Sequence, residues 1–482
     1  MALLGGVILF LSVLLFAIFP LTDTDIWWHL ACAREWVTTW TPVRAPVVNV
    51  HEYFQHFVYG IYGLGGAPLV VAVKAFLWMC VFGLFLWPVR KNFLQKGVHG
   101  GILAAVLLLF VFRYQFEMRP VLVSLLFLGA YWNILPWLLN RVQSRSLPWP
   151  KILLTLVAVL LLQWTWCKCQ GLYILGPLYA MLLLVCCVLE NGNFWRSRNG
   201  LCGCAFVALL FAIPFLHGEG WRLFVYPFGL LDRLLGMSDS AAIFASQIAE
   251  NRSPFTLLLS GENVAQSILM VAMALFSVAF GMLALIRKNR NADIAQVLCL
   301  LTVAVLALVA ERNFVLFLPV FFAVVPFHRI PHVPFFVVVV FLFALLGFWC
   351  RSLAAYDASM VSSERVPVAA AEWTKSHPHS GRLFNDDRAG GYLAFTNPFD
   401  SIYIDGRFIL KTSTFFERYL QYADSVTLFA NDADSLGMDR VVLPLRYYAR
   451  WNLLIDALKK AEGWQVSYVD SNFIVFDRKF LR

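Results

Sequence analysis

Residues 21–40 read LTDTDIWWHLACAREWVTTW, and they follow twenty almost purely apolar residues. The stretch places two aspartates, Asp23 and Asp25, directly after a segment long enough to cross a bilayer. Trp27, Trp28 and His29 come next, and tryptophan is enriched at the boundary between membrane and water. The pattern predicts a membrane span that ends in a loop whose acidic and aromatic residues lie at the membrane surface.

The composition of the whole chain indicates a membrane protein with several spans. Of its 482 residues, 60% are hydrophobic and only 14% are charged, whereas a soluble domain has about 25% charged residues. The first apolar run has no basic start and no small-residue cleavage site, which favours a retained span over a signal peptide. We predict a polytopic α-helical membrane protein of about eleven spans, at roughly 1–20, 68–88, 98–112, 120–139, 152–167, 172–189, 200–216, 263–286, 293–310, 313–327 and 333–350.

Basic residues concentrate in alternate loops, and this predicts the orientation of the chain. Those loops hold Arg90, Lys91, Lys96, Arg141, Arg145, Lys151, Arg196, Arg198, Arg287, Lys288, Arg290 and Arg329. Because cytoplasmic loops carry an excess of Lys and Arg, we place these loops and the amino terminus in the cytoplasm. Two long loops, at about 21–67 and 217–262, then face the outer side of the cytoplasmic membrane, as does everything after residue 350. The net charge of +9 is explained in this way without a nucleic-acid partner.

The segment after residue 350 differs from the rest of the chain. Residues 351–482 are more polar and contain no cysteine. The β-like runs RLFND, SIYIDG, RVVLPL, WQVSYVD and NFIVFDR alternate with helical runs such as FFERYLQYA. This alternation predicts a soluble α/β domain at 351–482, periplasmic or otherwise extracytoplasmic, that follows a transmembrane domain at 1–350.

Four polar residues of the first outer loop are candidates for catalysis. Asp23 and Asp25 can bind a divalent metal ion, or one of them can act as a general base. His51 and Glu52 form a pair suited to proton transfer or metal binding. Simple structural roles are the alternatives: a solvated loop that ends one span, and interfacial anchoring at the start of the next. We expect Asp25 to be the base, with Asp23 as its competitor.

Six cations fall on the predicted outer side, at span ends or in the second long loop: Arg113, Arg119, Lys168, Arg222, Arg252 and Arg312. Any one of them can snorkel or pair locally with Glu117, Glu250 or Glu311. As a set they predict an anionic ligand such as a lipid phosphate or pyrophosphate, because arginine binds phosphate oxygens through two parallel hydrogen bonds. We expect Arg119 and Arg312 to face one cavity that is open to the outer leaflet.

A further candidate site lies in the C-terminal segment. Asn385, Asp386, Asp387, Asp405 and Arg407 occur in FNDDRAGGYLAF and YIDGR, at predicted strand ends. The simple interpretation is turn formation plus an ion pair between Asp405 and Arg407. The alternative is that this edge docks onto the first loop and closes over an acceptor.

These segments, in this order and spacing, resemble the bacterial GT-C-type membrane glycosyltransferases related to protein mannosyltransferases. The resemblance covers almost the whole chain. It rests on TDTDIWWHL (22–30), VNVHEYF (48–54), EMRPVLVSLLFL (117–128), GWRLFVYPF (220–228), AENRSPF (249–255), ERNFVLFLPV (311–320), RLFNDDRAGGYLAF (382–395) and SIYIDGR (401–407). The chain departs from the family pattern at Cys167 and Cys169, which stand where the family commonly has Asn and His.

The resemblance implies an inverting transfer of a sugar from a polyprenyl-phosphate donor to an acceptor, which could be a glycan, a lipid or a protein. Asp25 or Asp23 would deprotonate the acceptor, and His51 and Glu52 would orient it or share a divalent metal ion. The leaving phosphate would be held by Arg119, Arg312, Arg222, Arg252 and Lys168. A non-catalytic GT-C-like scaffold and a lipid or solute transporter are the alternatives. The transporter is disfavoured because the charges gather at one membrane face, and mid-span charge is nearly absent apart from Lys74 near an outer end.

Overall fold

The structure is a computed structural model, and it describes residues 2–44, 47–94, 99–235, 237–286, 294–330 and 333–479. The basic residues Lys96, Arg287, Lys288 and Arg290 therefore lie outside the described residues. The chain forms two compact units. The first comprises Met1–Ile18 and Ala72–Tyr356, and the second comprises Phe19–Val71 and Asp357–Arg482.

Helices make up most of the chain. Up to residue 354 they are α1 (Ala2–Phe16), α2 (Asp25–Cys32), α3 (Glu52–Leu86), α4 (His99–Val111), α5 (Pro120–Gln143), α6 (Trp149–Cys167), α7 (Leu175–Glu190), α8 (Arg198–Ala212), α9 (Trp221–Leu235), α10 (Asp239–Gln247), α11 (Pro254–Leu259), α12 (Val264–Ile286), α13 (Ile294–Val309), α14 (Phe314–Val324) and α15 (Phe335–Ala354). Beyond it they are α16 (Val368–Ser376), α17 (Asp387–Thr396), α18 (Ser413–Gln421), α19 (Val426–Leu436) and α20 (Asn452–Lys460).

Several of these helices are built to cross a bilayer. Among the described residues, seven helical segments are long and apolar enough: Glu52–Leu86, Pro120–Gln143, Trp149–Cys167, Gly171–Glu190, Arg198–Leu216, Val264–Ile286 and Phe335–Ala354. Shorter apolar helices are Gly6–Phe16, His99–Val111 and Ile294–Val309. With α14, a helix lies in every predicted span. Helix is the expected form because lipid offers no hydrogen bonds to the backbone. The chain is a polytopic α-helical membrane protein.

Helix α3 is interrupted at two glycines. Gly65 and Gly66 have non-helical backbone angles, and Gly66 has a φ of 62°, a conformation that favours glycine. Pro68 follows, in the first turn of the next helical stretch, where its missing N–H costs no hydrogen bond. The GGAP sequence at 65–68 therefore explains why the helix that begins at Glu52 is not continuous.

The second unit contains a four-stranded sheet with the order β1-β2-β4-β3. Its strands are β1 (Arg382–Asn385), β2 (Met438–Pro444), β3 (Trp464–Val469) and β4 (Phe473–Arg478). Strands β1 and β2 are parallel, and the other pairs are antiparallel. Every residue of β2 is buried, including the charged Asp439 and Arg440, as expected for a central strand that is covered on both faces. The predicted α/β fold of the C-terminal segment is confirmed.

One β-like run, SIYIDG at 401–406, is extended but pairs outside the sheet. The N–H of Ile402 donates to the Thr38 carbonyl at 3.1 Å, and the Trp40 N–H donates to the Ile402 carbonyl at 3.0 Å. The run thus bonds to the first loop instead of to a neighbouring strand. A partner so distant in sequence leaves no local signal in the run itself.

The first loop belongs to the second unit, although we placed it with the membrane domain from the sequence. Helix α2 packs against α17, and the contact depends on Gly391. A Cβ at Gly391 would lie 2.7 Å from the backbone nitrogen of Trp28, closer than a side chain allows. The predicted boundary near residue 350 stays a prediction; in the structure α15 ends at Ala354.

Candidate active site

Asp23 and Asp25 stand at the start of α2 in different surroundings. Asp23 is 8% exposed, and its Oδ1 accepts a hydrogen bond from the Asp25 N–H at 3.3 Å. The carboxylate thereby occupies one of the N–H groups that a helix start leaves without a partner. Asp25 is half-buried, and its Oδ1 lies where a side chain on Gly406 would be. Asp23 therefore has a capping contact, and Asp25 lies against the IDGR segment.

His51 and Glu52 lie at the start of α3 and close to α2. The His51 ring centroid is 5.2 Å from that of His29 and 6.1 Å from that of Trp28. The backbone N–H of His51 donates to Asn49 Oδ1 at 3.1 Å. Glu52 occupies the first turn of α3, where a negative charge is favourable. The structure thus places His51 beside α2, with Glu52 next to it in the chain.

Asp405 and Arg407 form a buried ion pair, with 2% and 3% of each residue exposed. Arg407 Nε donates to Asp405 Oδ1 at 3.0 Å, and Nη2 donates to Oδ2 at 2.6 Å. Burial acts to raise the pKa of Asp405, but the Arg407 charge and its hydrogen bonds outweigh burial and lower it. The carboxylate is therefore held in its charged form inside the second unit.

The remaining N–H groups of Arg407 hold the first loop. Nη2 donates to Thr38 Oγ1 at 2.6 Å, and Nη1 donates to Cys32 Sγ at 2.9 Å and to the Trp36 carbonyl. The structure thus places this edge against the first loop, as the docking hypothesis requires. Closure over an acceptor stays a prediction.

Asn385 and Asp386 are almost fully buried, and their side chains are bonded within the fold. Asn385 Nδ2 donates to the Ile404 carbonyl at 2.7 Å. Asp386 accepts from the Arg388 N–H at 3.1 Å and from Trp451 Nε1 at 2.7 Å, so it caps α17. Burial, followed by the charge of the adjacent aspartate at 387, raises the pKa of Asp386 to about 7. These contacts support the simple interpretation in which both residues shape the turn between β1 and α17.

Two predicted phosphate ligands of the first unit converge on one turn. Arg119 Nη1 and Nη2 each donate to a carboxylate oxygen of Glu250 at 2.8 Å. Arg312 Nη1 donates to Asn251 Oδ1 at 2.9 Å. Glu250 and Asn251 are adjacent in the short 3-10 turn Ala249–Asn251. Arg119 and Arg312 therefore reach neighbouring side chains, and a shared cavity open to the outer leaflet stays a prediction.

The other predicted phosphate ligands are arranged differently. Arg252 makes a two-fold ion pair with Glu262, with distances of 2.9 and 2.6 Å. Lys168 pairs with Glu219. Arg222 follows Glu219 closely, and its backbone N–H donates to the Glu219 carbonyl at 3.1 Å. Local pairing, the alternative weighed from the sequence, is therefore observed for Arg119, Arg252 and Lys168.

Carboxylates crowd around the arginines of this cluster. The Glu311 N–H donates to the Arg252 carbonyl at 3.0 Å. Burial raises the pKa of Glu311, and the negative charge of Glu250 raises it further, while Arg252 and Arg119 oppose the change. An anionic ligand that binds here must therefore compete with carboxylates of the chain itself.

A metal site was a possibility for His51 and Glu52. Within the part of the chain that the structure describes, no group of three or more His, Cys, Asp or Glu side chains is arranged to hold a metal ion.

Sequence reasoning missed Lys411, a buried cation that also holds the first loop. Its Nζ donates to Thr39 Oγ1 at 2.9 Å, to Thr41 Oγ1 at 2.5 Å and to the Pro42 carbonyl at 3.2 Å. Burial lowers the pKa of Lys411 to about 8. The only signal in the sequence is the run of threonines in VTTWT, whose hydroxyls can accept hydrogen bonds from a buried cation.

The apolar helices, the acidic first loop and the small C-terminal sheet define a polytopic membrane protein of the GT-C fold. The archaeal oligosaccharyltransferase AglB from Archaeoglobus fulgidus, solved in complex with an inhibitory peptide and a dolichol-phosphate, is similar over 97% of this chain and 74% of its own. The TM-score is 0.51 and the sequence identity is 11%, so the likeness establishes the fold alone.

ArnT from Cupriavidus metallidurans in the apo state is similar over 99% of this chain and 98% of its own, with 14% identity. Its TM-score of 0.44 is too low to establish a common fold by itself. No protein-family model matches the chain, and no curated protein matches its sequence.

Proposed function

We propose that the chain is a membrane glycosyltransferase that moves a sugar from a polyprenyl-phosphate-linked donor to an acceptor at the outer face of the cytoplasmic membrane. The observation that carries the proposal is the convergence of Arg119 and Arg312 on Glu250 and Asn251. AglB, which shares the fold, binds dolichol-phosphate, an isoprenoid lipid phosphate. This supports a lipid of the same chemical class as the donor here.

Arg119 supplies the geometry that a phosphate requires. Its two terminal nitrogens donate in parallel to Glu250, and the side chains are 30% and 42% exposed. A phosphate presents two oxygens in the same arrangement and can take the place of the carboxylate. Asn251 is neutral, so its hydrogen bond orients Arg312 without neutralising the arginine charge. Both guanidinium groups can then stabilise the charge that develops on the leaving phosphate.

Asp25 acts as the general base in this proposal. It accepts the proton of an acceptor hydroxyl while the hydroxyl oxygen attacks the anomeric carbon of the donor sugar. The bond between that carbon and the phosphate oxygen breaks, and polyprenyl phosphate leaves with the electron pair. A single displacement of this kind inverts the anomeric centre, so no carboxylate has to act as a nucleophile. Asp23 is the weaker candidate because its carboxylate caps α2.

His51, Glu52, Asp405 and Arg407 support the base in different ways. His51 and Glu52 lie beside α2 and orient the acceptor. The ion pair of Asp405 and Arg407 holds the loop that begins at Cys32, and this fixes α2 and hence Asp25. In this role the ion pair positions Asp25 and takes no part in the chemistry.

A non-catalytic scaffold is the second candidate. It is favoured by the carboxylates that occupy Arg119, Arg252 and Lys168, and by the cysteines at 167 and 169. Either candidate can bind the lipid phosphate. Only the enzyme cleaves the bond between the sugar and the phosphate and releases the free lipid phosphate.

The second unit belongs on the outer side in this proposal, because the basic loops belong in the cytoplasm. Ser380 is exposed, and the chain after residue 356 contains no cysteine. A Ser380→Cys variant in intact cells should therefore react with a membrane-impermeant maleimide. If the cysteine reacts only after the cells are permeabilised, the second unit lies on the cytoplasmic side, contrary to the proposal.

Turnover can be tested without knowing the sugar. The purified protein is incubated with polyprenyl-phosphate sugars extracted from bacterial membranes and with an envelope extract that supplies acceptors. Free polyprenyl phosphate is then measured by mass spectrometry. We expect Asp25→Asn to release it at least about a hundredfold more slowly than the wild type. The exposed control Asp456→Asn should match the wild type. A wild type that binds the lipid but releases none would favour the scaffold.

A further inference from the structure

The carboxyl ends of β1 and β2 carry a group of residues that the proposed reaction does not use. The two strands are parallel, so the segments that follow them, from residue 386 and from residue 445, meet at one edge of the sheet. In open α/β sheets this edge is where ligands bind. The residues gathered there are Arg365, Arg388, Arg446, Tyr447, Tyr448 and Arg450.

Arginines and tyrosines alternate in space at this edge. The guanidinium carbon of Arg365 lies 3.8 Å from the Tyr447 ring centroid. That of Arg388 lies 5.1 Å from the Tyr447 centroid and 3.9 Å from the Tyr448 centroid. Arg450 Nη1 donates to the Tyr448 hydroxyl at 3.4 Å. Two tyrosines thus bring three arginines together.

Three of the arginines at this edge carry a positive charge outside any ion pair between described residues. Among the described residues, Arg388, Arg446 and Arg450 have no carboxylate oxygen within the 4.0 Å that defines an ion pair. The nearest acids in sequence, Asp386 and Asp387, accept hydrogen bonds from groups other than the arginine side chains. Both carboxylate oxygens of Asp386 accept hydrogen bonds, and Asp387 accepts one from the Tyr419 hydroxyl at 2.7 Å. The edge therefore carries a surplus of positive charge.

The stacking leaves the N–H groups of the Arg388 side chain available to a ligand. A guanidinium that lies over a ring uses its face for the cation–π contact. Its N–H groups point outward in the guanidinium plane, and they match the oxygens of phosphate and carboxylate groups. Arg446 is exposed and Arg388 and Arg450 are half-buried, so solvent reaches the cluster. Such an arrangement holds cations close together, as an oxyanion site does.

We propose that this edge is a second binding site of the protein, and that it binds a phosphate-class oxyanion carried by a ligand outside the membrane. The ligand is a phosphorylated saccharide or a lipid headgroup, and both present the same phosphate oxygens. The site shares no residue with the proposed donor site. It stands whether or not the chain transfers a sugar.

The test measures binding of inorganic pyrophosphate to the full-length protein in detergent by titration calorimetry. We expect Arg388→Gln to weaken binding at least about tenfold, because a charged, two-fold hydrogen bond is lost. Arg446→Gln should weaken it severalfold. Lys459→Gln removes the same charge from an exposed position of α20 and should change affinity by less than about twofold.

Further variants separate this site from the donor site and from a loss of folding. Arg119→Gln should still bind pyrophosphate at the second site, with the affinity of the wild type. If Arg388→Gln and Arg446→Gln bind like the wild type while Arg119→Gln abolishes binding, the inference is overturned and the proposed donor site stands. Thermal unfolding reports on folding. If Arg388→Gln does not fold, Arg446→Gln decides the matter, because Arg446 is exposed and its replacement disturbs the fold least.

The source of the oxyanion is identified in nanodiscs. If phosphatidylglycerol competes with pyrophosphate, the site binds a lipid headgroup. If it does not compete, the site binds a soluble phosphorylated ligand. Tyr448→Leu should weaken binding more than Tyr448→Phe, because only the leucine removes the ring that orients Arg388. Equal affinities for the two Tyr448 variants would contradict the stacking argument.

Discussion

Arg407 and Asp405 form an ion pair that is almost completely buried, and the same guanidinium bonds to Cys32, Trp36 and Thr38. Residues from opposite ends of the sequence are thereby fixed together inside the second unit. The pair is costly to bury, and it is stable only because every polar atom of the guanidinium has a partner. Because the pair holds the first loop, the position of the proposed base, Asp25, depends on residues near the carboxyl end of the chain.

Replacing Arg407 should release the first loop. Arg407→Gln leaves the Asp405 carboxylate buried without its counter-ion, which costs about 3–5 kcal/mol. We expect a lower unfolding temperature and alkylation of Cys32. In the wild type, burial raises the pKa of this thiol to about 12 and keeps it unreactive. Peptide mapping after alkylation measures the effect, and Lys375→Gln, exposed on α16, is the control. Continued protection of Cys32 in Arg407→Gln would show that the pair does not hold the loop.

Removing the charge of Glu250 should strengthen binding of the lipid phosphate. In Glu250→Gln, Arg119 loses its competing carboxylate, so the affinity for a polyprenyl phosphate rises by about tenfold, equivalent to about 1.4 kcal/mol. Binding is measured in detergent with fluorescently labelled lipid. Glu190→Gln, exposed at the end of α7, should leave the affinity unchanged. Weaker binding by Glu250→Gln would mean that Glu250 supports the site and does not compete with the ligand.

Asp23 should respond to substitution as a helix cap. Asp23→Ala removes the acceptor of the Asp25 N–H and should cost about 1 kcal/mol of stability. Asp23→Asn retains an acceptor oxygen and should unfold at nearly the wild-type temperature, with most of the turnover preserved. Loss of turnover in Asp23→Asn at unchanged stability would instead transfer the role of base from Asp25 to Asp23.

His379 should make the stability of the second unit depend on pH. It lies between Asp400, 2.9 Å from Nε2, and Asp439, 2.5 Å from Nδ1. Burial acts to lower its pKa, but the two carboxylates outweigh burial and raise it from the usual 6.5 to about 9. Because the folded-state pKa is raised, the stabilisation is complete below about pH 6.5 and is lost as the pH rises through about 9.

His379→Gln should therefore destabilise the protein by about 2 kcal/mol near neutral pH, and by much less at a pH well above 9. Thermal unfolding of both proteins across this pH range measures the difference. A difference between wild type and His379→Gln that does not depend on pH would rule out the charged state of His379 as its cause.

The parts of the fold that depend on local composition could be predicted from the sequence. Long apolar runs form helices wherever they occur, and the alternation of runs after residue 350 predicts the small α/β fold. The packing of α2 on α17 could not be predicted in this way. It depends on the missing side chain of Gly391 and on hydrogen bonds from Arg407 and Lys411 to a loop nearly 370 residues away.

Only part of the candidate site can be proposed from the sequence. Residue type and order were sufficient to name Arg119 and Arg312, because charges at span ends need a ligand or a partner. The identity of that partner depends on three-dimensional proximity. Glu250 was among the possible partners of the arginines, but the role of Asn251 in orienting Arg312 has no sequence signal.

The central claim is that Arg119 and Arg312 bind the phosphate of an isoprenoid lipid. Native mass spectrometry of the full-length protein with added undecaprenyl phosphate tests it without any assumption about the sugar. The account predicts a one-to-one complex for the wild type and for the control Arg141→Gln, and at least about tenfold less complex for the double variant Arg119→Gln/Arg312→Gln. Equal occupancy of the wild type and the double variant would contradict it.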